Sequence, residues 1–387
     1  MRILPFEYAV RNLGRSPARL LLTVGGSALV VLLVLTATGF VNGMQAAFVT
    51  SGRDANIILM GSGSEESIER SEVSMRTSGI VAASVPGLIK RAGIDAVSPE
   101  AHVAIPIKGI GEEGTMSVIR GVEPAAFLVH DEVRVIAGRP PRSGGNELLL
   151  GRLVARGMGF NPPEQSLGTK LEIDEEPYEV VGVLEAGGGV AEGELWTSLT
   201  DLMATSQRDS ISCVVVSIDD AEPADIEAFA ATRLDLELIA MPEVDYYAKL
   251  SAFFRPIALM VLVTAALIAI GAVLGGLNTT YAAFASRVRE IGTLQTLGYS
   301  RQAIALSLVQ ESLLAAAIGT LIACGLGAWL LDEVVVQFSM GAFGLRIDAT
   351  VIAWGLGTGL VLGVIGAILP AWRCLRLPIA ESLKAGE

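Results

Sequence analysis

Histidine is almost missing from this chain of 387 residues: His102 and His130 are the only two, and neither stands in a metal-ligand spacing such as His-Glu-x-x-His. The common zinc-hydrolase pattern is therefore excluded, and each is read as a surface or core histidine. Cysteine is scarce as well. Cys213 lies in a polar middle region, Cys324 in an apolar run and Cys374 in a basic tail, which excludes a disulfide framework and a Cys-x-x-Cys pair. No Gly-x-Ser-x-Gly nucleophile elbow occurs. The glycines of MGSGSEESIERSEVS are not followed by Gly-Lys-Ser/Thr, so this polar stretch is a loop candidate and not a phosphate-binding loop. The runs EAGGGVAEGE and RSGGNE read as loops between strands. No catalytic residue, metal or cofactor is expected, and the chain is not expected to be an enzyme.

Charge is also low, at 18% of residues, whereas 51% are hydrophobic and the mean hydropathy is +0.55. That balance points to a membrane protein. A bilayer core of about 30 Å needs about 20 helical residues, and four stretches qualify: 18–41, 256–278, 303–331 and 350–370. The first is too long for a signal-peptide core, which runs about 7 to 15 residues, and it follows a long amphipathic segment, so an uncleaved helix is expected.

Charge placement sets an expected orientation. The segments 1–17, 279–302 and 371–387, together with Arg19 at the start of the first span, hold ten basic residues (Arg2, Arg11, Arg15, Arg19, Arg287, Arg289, Arg301, Arg373, Arg376 and Lys384) against four acidic ones (Glu7, Glu290, Glu381 and Glu387). They are expected in the cytoplasm by the positive-inside rule. The region 42–255 holds 33 acidic and 17 basic residues, a net of −16, and the short loop 332–349 is acidic too. Both are expected outside, which leaves both termini inside and argues against a nucleic-acid partner.

The region 42–255 is long enough for its own core. Strand-like runs are ANIILM, VAIPIK, MSVIRGV, NELLL, KLEID, YEVVGVL and ISCVVVSI, with helical spacing in GRLVARGMGF and PADIEAFAATRL. KLEIDEEPYEVVGVL reads as a hairpin with an acidic turn. The expected fold class is a multi-pass α-helical membrane protein with four transmembrane helices and a large α+β extracytoplasmic domain between helices 1 and 2.

Within the spans, Glu311 is the one ionisable side chain away from the ends. A charge in the bilayer is costly, so a partner is sought. It reads either as a tether to Arg287 or Arg301, or as a glutamate that snorkels or is protonated. Gly271 and Gly275, and then Gly355, Gly359 and Gly363, stand four apart. That spacing lets helices pack closely, within the chain or between two chains, with membrane lipids around them.

The segment RVREIGTLQTLGYSRQAI interrupts this apolar sequence. Helix is expected to continue from the second span through it, with Val288, Ile291 and Leu294 as an apolar stripe and Arg287 and Glu290 on another side. Gly298 supplies a left-handed stop and Ser300 the next cap. The result is an amphipathic elbow, suited either to lipid headgroups or to a groove in a soluble partner.

SRVREIGTLQTLGYSRQAI, followed by QESLLAAAIGTLIACGLG, resembles the signature of the FtsX-like, MacB-type ABC transporter permeases. The matching positions are Arg289, Glu290, Ile291, Gly292, Leu297, Gly298, Arg301 and Glu311. AILPAWRCLRLPIAESL and AVRNLGRSPARLLLTVGG are similar to the family's closing and opening segments, and NELLLGRLVARGMGF to its extracytoplasmic domain. Gln295 and Thr296 depart from the family's usual elbow, and no fused nucleotide-binding domain is present in the sequence. The resemblance implies a permease-like subunit in a bacterial inner membrane, paired with a second copy or a close paralogue and driven by a separate cytoplasmic ABC ATPase. The elbow, with Arg287, Gln295 and Thr296 added to the matching positions, would transmit motion to the outer domain, and a periplasmic adaptor is a further candidate partner. Expected cargoes are a lipid, lipoprotein, peptide or small toxic compound. The alternative implied by the same architecture is an FtsX-type signalling subunit that controls a cell-wall hydrolase or a sensor kinase.

Overall fold

The computed structural model describes residues 6–91, 93–108, 115–332, 334–338, 341–376 and 378. Arg2, Glu381, Lys384 and Glu387 of the orientation count lie outside them. Among the described residues the helices are α1 (Phe6–Leu13), α2 (Pro17–Ser51), α3 (Arg76–Ser84), α4 (Ala126–Val129), α5 (Arg152–Gly157), α6 (Leu199–Thr205), α7 (Pro223–Thr232), α8 (Glu243–Ala285), α9 (Val288–Thr296), α10 (Arg301–Leu326) and α11 (Ala349–Leu375). Four of these segments are long and apolar enough to cross a membrane: α2, α8, α10 with the π-helical turn Gly327–Leu331 that follows it, and α11. With 35 and 43 residues, α2 and α8 are about 52 and 64 Å long at 1.5 Å per residue. Both exceed a hydrocarbon core of about 30 Å.

The chain divides into two compact units. One takes in residues 1–42, 256–332 and 345–387, and so holds most of the apolar helix. Its packing depends on missing side chains. A Cβ on Gly355 would meet Leu35 Cδ2 at 2.8 Å, one on Gly363 would meet Leu313 Cα at 3.0 Å, and one on Gly359 would collide with the Thr320 side chain. The spaced glycines of α11 therefore bring it against α10 and α2, where no hydrophobic drive separates protein from lipid. Gly319 of α10, which the four-residue spacing does not mark, is closed in by Ser27 and the Val24 carbonyl of α2. Gly271 and Gly275 differ: nothing lies within 4 Å of the space a Cβ would take. Within one chain they make no close helix contact: Gly275 lines a cavity that separates α8 from α2 and α10.

The other unit takes in residues 43–255 and 333–344. Its centre is a ten-stranded sheet built from β1 (Asn56–Gly61), β2 (Val97–Lys108), β3 (Thr115–Val122), β4 (Arg134–Gly138), β5 (Glu147–Gly151), β6 (Lys170–Ile173), β7 (Glu176–Glu185), β8 (Glu194–Ser198), β9 (Cys213–Ser217) and β10 (Leu238–Pro242). The order is β10-β1-β9-β2-β3-β8-β5-β7-β4, and β6 pairs with both β7 and β2. Among the described strand pairs, only β7–β5 and β8–β3 are parallel. Every residue of β1 is buried, as a run apolar on both faces requires. One face meets α3, α5, α6 and α7 through Val81, Val154, Leu202 and Ile226. The other meets α4 and the first turns of α8 through Val129, Tyr246 and Leu250.

Several expected elements differ in detail. The acidic hairpin turns at Asp174 and Glu175 alone, with φ of 49° and 70°; a two-residue turn with both φ positive matches the strand twist. ISCVVVSI is interrupted at Ser212, whose hydroxyl accepts from the His102 backbone N–H at 2.9 Å. MGSGSEESIERSEVS carries a helical turn at Ile68–Arg70 with Ile68 buried, and so is partly anchored. The loop after α10 contains a small hairpin, Val335–Phe338 with Gly341–Gly344. The second span does not run on through the elbow either. Helix α8 stops at Ala285, the Arg287 N–H turns back to the Phe284 carbonyl, and α9 restarts at Val288.

Candidate functional site

The break before α9 places Arg287 between two carboxylates. Its Nε donates to Glu290 Oε2 at 3.0 Å and its Nη1 to Glu311 Oε2 at 2.9 Å. Glu290 also accepts from the Tyr8 hydroxyl at 2.7 Å and from Arg15 Nη1 at 2.8 Å, while Glu311 accepts from Arg19 as well. One ion cluster thus joins α1, the start of α2, the elbow and α10. Of the two partners expected for Glu311, Arg287 is the one that reaches it. Arg301 is exposed and takes no part, and Arg19 was not foreseen. Burial pushes the Glu290 carboxyl up, but the Tyr8 hydroxyl and the Arg287 guanidinium outweigh it and hold it below the usual range. Arg287 is likewise held above its ordinary value: burial opposes its charge, and Glu311 and Glu290 more than compensate.

The apolar stripe of α9 faces inward. Val288 and Ile291 are buried, and Ile291 packs with Phe284, Ile304, Leu308 and Leu375, so the stripe is consumed within the chain and not left for a lipid surface. Gly292 is buried too. Helix α9 closes as its sequence predicts: Gly298 has φ +88°, the Tyr299 N–H reaches the Leu294 carbonyl at 3.2 Å, and Ser300 Oγ accepts from the Ala303 N–H at 3.2 Å. The Gln295 side chain is half-buried, and its amide nitrogen has no hydrogen-bond partner among the described residues. The free face then consists of Arg289, Thr293, Thr296 and Leu297, the last 60% exposed.

A second polar site, which the sequence did not announce, lies inside the sheet domain. Arg120 of β3 forks onto Glu194 of β8, with Nε and Nη2 each donating at 2.7 Å, and its Nη1 donates to Glu100 of β2 at 3.0 Å. Its guanidinium also lies over the ring of Trp196, 5.2 Å from the centroid. His130 Nε2 lies 2.8 Å from Glu100 Oε1, and His102 Nε2 lies 3.3 Å from Oε2. Glu243, the first residue of α8, accepts from Asn56 Nδ2 at 2.9 Å and from the Arg53 N–H at 3.2 Å. Both histidines are therefore core residues, but members of one charged network. Its parts come from positions far apart in sequence, and an isolated Glu or Arg in a strand gives no periodic signal.

The ligand atoms of Glu100, His102 and Cys213 come within 4.8 Å of one another. They do not suit a metal, since the Glu100 carboxylate already serves Arg120 and His130, and a dication there would face two cations. Burial pushes the His130 imidazolium down, but the Glu100 carboxylate overrides it and lifts the group to about 10. Glu100 is correspondingly held well below the carboxylate range, burial being overcome by His130 and Arg120. Burial lowers His102, which leaves it neutral. A group lifted from an unfolded value of about 6.5 to about 10 stabilises the fold fully below the lower value and loses that contribution as pH rises to the upper one. Amide protection in β2 and β3, taken relative to the base-catalysed intrinsic exchange rate at each pH, is expected to fall progressively between those pH values, and a His130→Gln variant is expected to flatten the dependence. A variant with the slope of the wild type would count against this coupling.

Comparison with known proteins follows the same division. A family model described as a MacB-like periplasmic core domain matches residues 20–232, and one described as an FtsX-like permease C-terminal region matches residues 262–379. An uncharacterised ABC transporter permease of Bacillus subtilis, YknZ, is 23% identical over 293 residues, covering 70% of this chain and 71% of the relative. The macrolide export ATP-binding/permease protein MacB of Nitrobacter winogradskyi is 27% identical over 258 residues, covering 63% of this chain and 39% of the relative. The MacB protein of Hyphomonas neptunium is 24% identical, and the match covers 42% of it. The chain thus spans about two fifths of the MacB relatives it matches. Among solved structures, the periplasmic region of MacB from Actinobacillus actinomycetemcomitans superposes with a TM-score of 0.39 at 14% identity, over 50% of this chain and 91% of that one. The extracellular domain of YknZ gives 0.38 at 19% identity, over 48% of this chain and 99% of that one.

Proposed function

Since the chain belongs to the FtsX-like ABC transporter permeases that carry a MacB-like periplasmic core domain, we propose that it couples a separate cytoplasmic ABC ATPase to its extracytoplasmic domain. In this reading the elbow lies in the cytoplasm, as its share of basic residues suggests. The observation that carries the reading is the division of α9 into two faces. One is tied to three other helices through Arg287, Glu290 and Glu311, so that a push on it is passed on. The other, formed by Arg289, Thr293, Thr296 and Leu297, is bare and of mixed polarity, as a docking surface for a soluble protein needs to be.

The spans support motion transfer over a substrate tunnel. Their one ionisable side chain away from the ends, Glu311, is taken up by Arg19 and Arg287. A second copy alongside would cover α8, which is apolar and mostly unburied and whose Gly271 and Gly275 stand open for a close helix contact. The cargo class remains that of export or extraction: a lipid, lipoprotein, peptide or small toxic compound.

The reading is tested by co-purifying the ATPase with full-length chain in detergent or nanodiscs. Arg289→Glu combined with Leu297→Asp is expected to weaken capture by about 2 kcal/mol, roughly thirtyfold in Kd, with insertion unchanged. Undiminished capture by that variant would overturn the docking assignment.

A further inference from the structure

The sheet of the extracytoplasmic domain ends on β10, and that edge is left open in an unusual setting. Among the described residues, strand β10 pairs only with β1, in antiparallel register from Ile57 opposite Pro242 to Gly61 opposite Leu238. The Ser62 N–H donates to the Glu237 carbonyl at 2.8 Å, and bonded pairs recur every second residue in such a ladder. Ile239 and Met241 therefore spend their backbone groups on β1, while those of Leu238 and Ala240 point away from it. The opposite strand agrees. The Ile218 N–H reaches the Ala55 carbonyl at 2.8 Å, so Ile57 and Leu59 of β1 bond β9 and leave Ile58 and Met60 for β10.

Helices cover both faces of this edge without closing it. Ile226 and Ala230 of α7 pack on the side of Leu238 and Ala240, and Tyr246 and Leu250 of α8 pack on the side of Met241 and Ile239. Between them lies a slot of about 730 Å³, floored by β10 and walled by Ala230 and Ala231 on one side and by Ala248 and Ala252 on the other. Alanine is the reason the slot exists: each wall residue stops at Cβ, which leaves the width of a further strand with its alternating side chains. The charged lining residues are Glu227 and Asp245 against a single Lys249, on a domain with a net charge of −16.

We infer that this slot receives an extended segment of another polypeptide, neutral to basic and with small apolar side chains at alternate positions, which adds to the sheet as an eleventh strand beside β10. The outward N–H and C=O groups of Leu238 and Ala240 supply the main-chain hydrogen bonds that give such strand addition its affinity. The alanine walls select small side chains, and the acidic rim selects the charge. Pro242 has no N–H to offer, so the added strand registers on Leu238 to Met241 and ends there.

The test uses full-length chain in nanodiscs and a short synthetic peptide of alternating alanine and valine with a lysine at each end, beside a twin that carries glutamate instead. The lysine peptide is expected to bind about tenfold more tightly than its twin and to slow amide exchange at Leu238 and Ala240. Ala231→Leu with Ala248→Leu fills the walls at exposed helical positions, where leucine is a good helix former. That variant is expected to lose about tenfold in affinity and the exchange protection with it. Binding indifferent to the filled walls, or bound peptide without protection at Leu238 and Ala240, overturns the inference. So does failure of both peptides to bind, or equal protection produced by raising the concentration of the chain alone, which would make a second copy the occupant. ATPase capture, read on the elbow, is independent of each of these outcomes.

Discussion

A Glu311→Ala variant is expected to insert its four helices and bind the ATPase normally, yet to lose about tenfold of the ATPase stimulation, in the lower half of the usual range for coupling free energies. Glu311 is only 5% exposed, and it neutralises Arg19 and Arg287, whose side chains are 29% and 15% exposed. Without it two guanidinium groups converge on an empty acceptor at the membrane edge. Removing one partner of a buried pair costs about 3 to 5 kcal/mol, and the partial exposure of the arginines sets the expected cost near the lower figure. The cheapest relief is for Arg287 to swing outward, which removes the ionic link between the elbow and α10 while the apolar packing of Ile291 on Ile304 and Leu308 stays. Glu311→Gln keeps an acceptor and is expected to lose less. Gly298→Val acts on the same joint from the other side, because φ of +88° is strained for a β-branched residue by about 1 to 2 kcal/mol. The measurement is ATPase rate with and without the chain in nanodiscs. Wild-type stimulation by Glu311→Ala would reduce the cluster to a passive anchor.

Arg120→Met is expected to be the most destabilising single change in the extracytoplasmic domain, by about 3 to 5 kcal/mol out of the roughly 5 to 15 that a domain possesses. Glu100 and Glu194 are fully buried, and both depend on this guanidinium for charge and for hydrogen bonds. Methionine fills much of the volume but leaves the buried Glu194 carboxylate without a cation, and Glu100 with His130 alone. The loss is read as faster amide exchange in β2, β3 and β8 of the full-length chain, with α10 and α11 unaffected. Adding Glu194→Gln to Arg120→Met is expected to restore most of the stability, because Glu100 keeps His130 as its partner and the unpaired charge of Glu194, and not the missing side chain, carries the cost. A loss below about 1 kcal/mol, the usual worth of an exposed pair, would mean that water reaches the site.

The two clusters differ in how far they could be read before the fold was known. At the elbow, Gly298, Ser300 and the stripe of Val288, Ile291 and Leu294 announce their structure, because caps and helical periodicity are local. The partners of Glu311 were legible as a question: a carboxylate in a span needs a cation, and Arg287 was one of two candidates. Arg19 and Tyr8 were not legible, since contact between α1, α2 and α10 depends on how three helices pack. The network of Glu100, Arg120, His130, Glu194 and Glu243 gave no sign at all, because its members stand far apart in the chain and share no spacing. The glycines divide in the same way. Gly355, Gly359 and Gly363 earn their spacing within the chain, Gly271 and Gly275 have nothing beside them, and Gly319, in no such series, sits at one of the tightest contacts.

Composition and local pattern determined by themselves that this is a membrane protein with four spans, a large mixed domain after the first, an amphipathic elbow between the second and third, and the resemblance that places it in its family. Hydropathy, charge placement and capping act over a few turns of chain, so they survive without any knowledge of packing. The tertiary structure alone decided where the second span ends, which side of the elbow is left free, how the buried charges are satisfied and that the sheet stops at an open slot on β10. Each of these turns on which distant residues meet, and long-range contacts answer to the whole arrangement of helices and strands, which no short window of sequence contains.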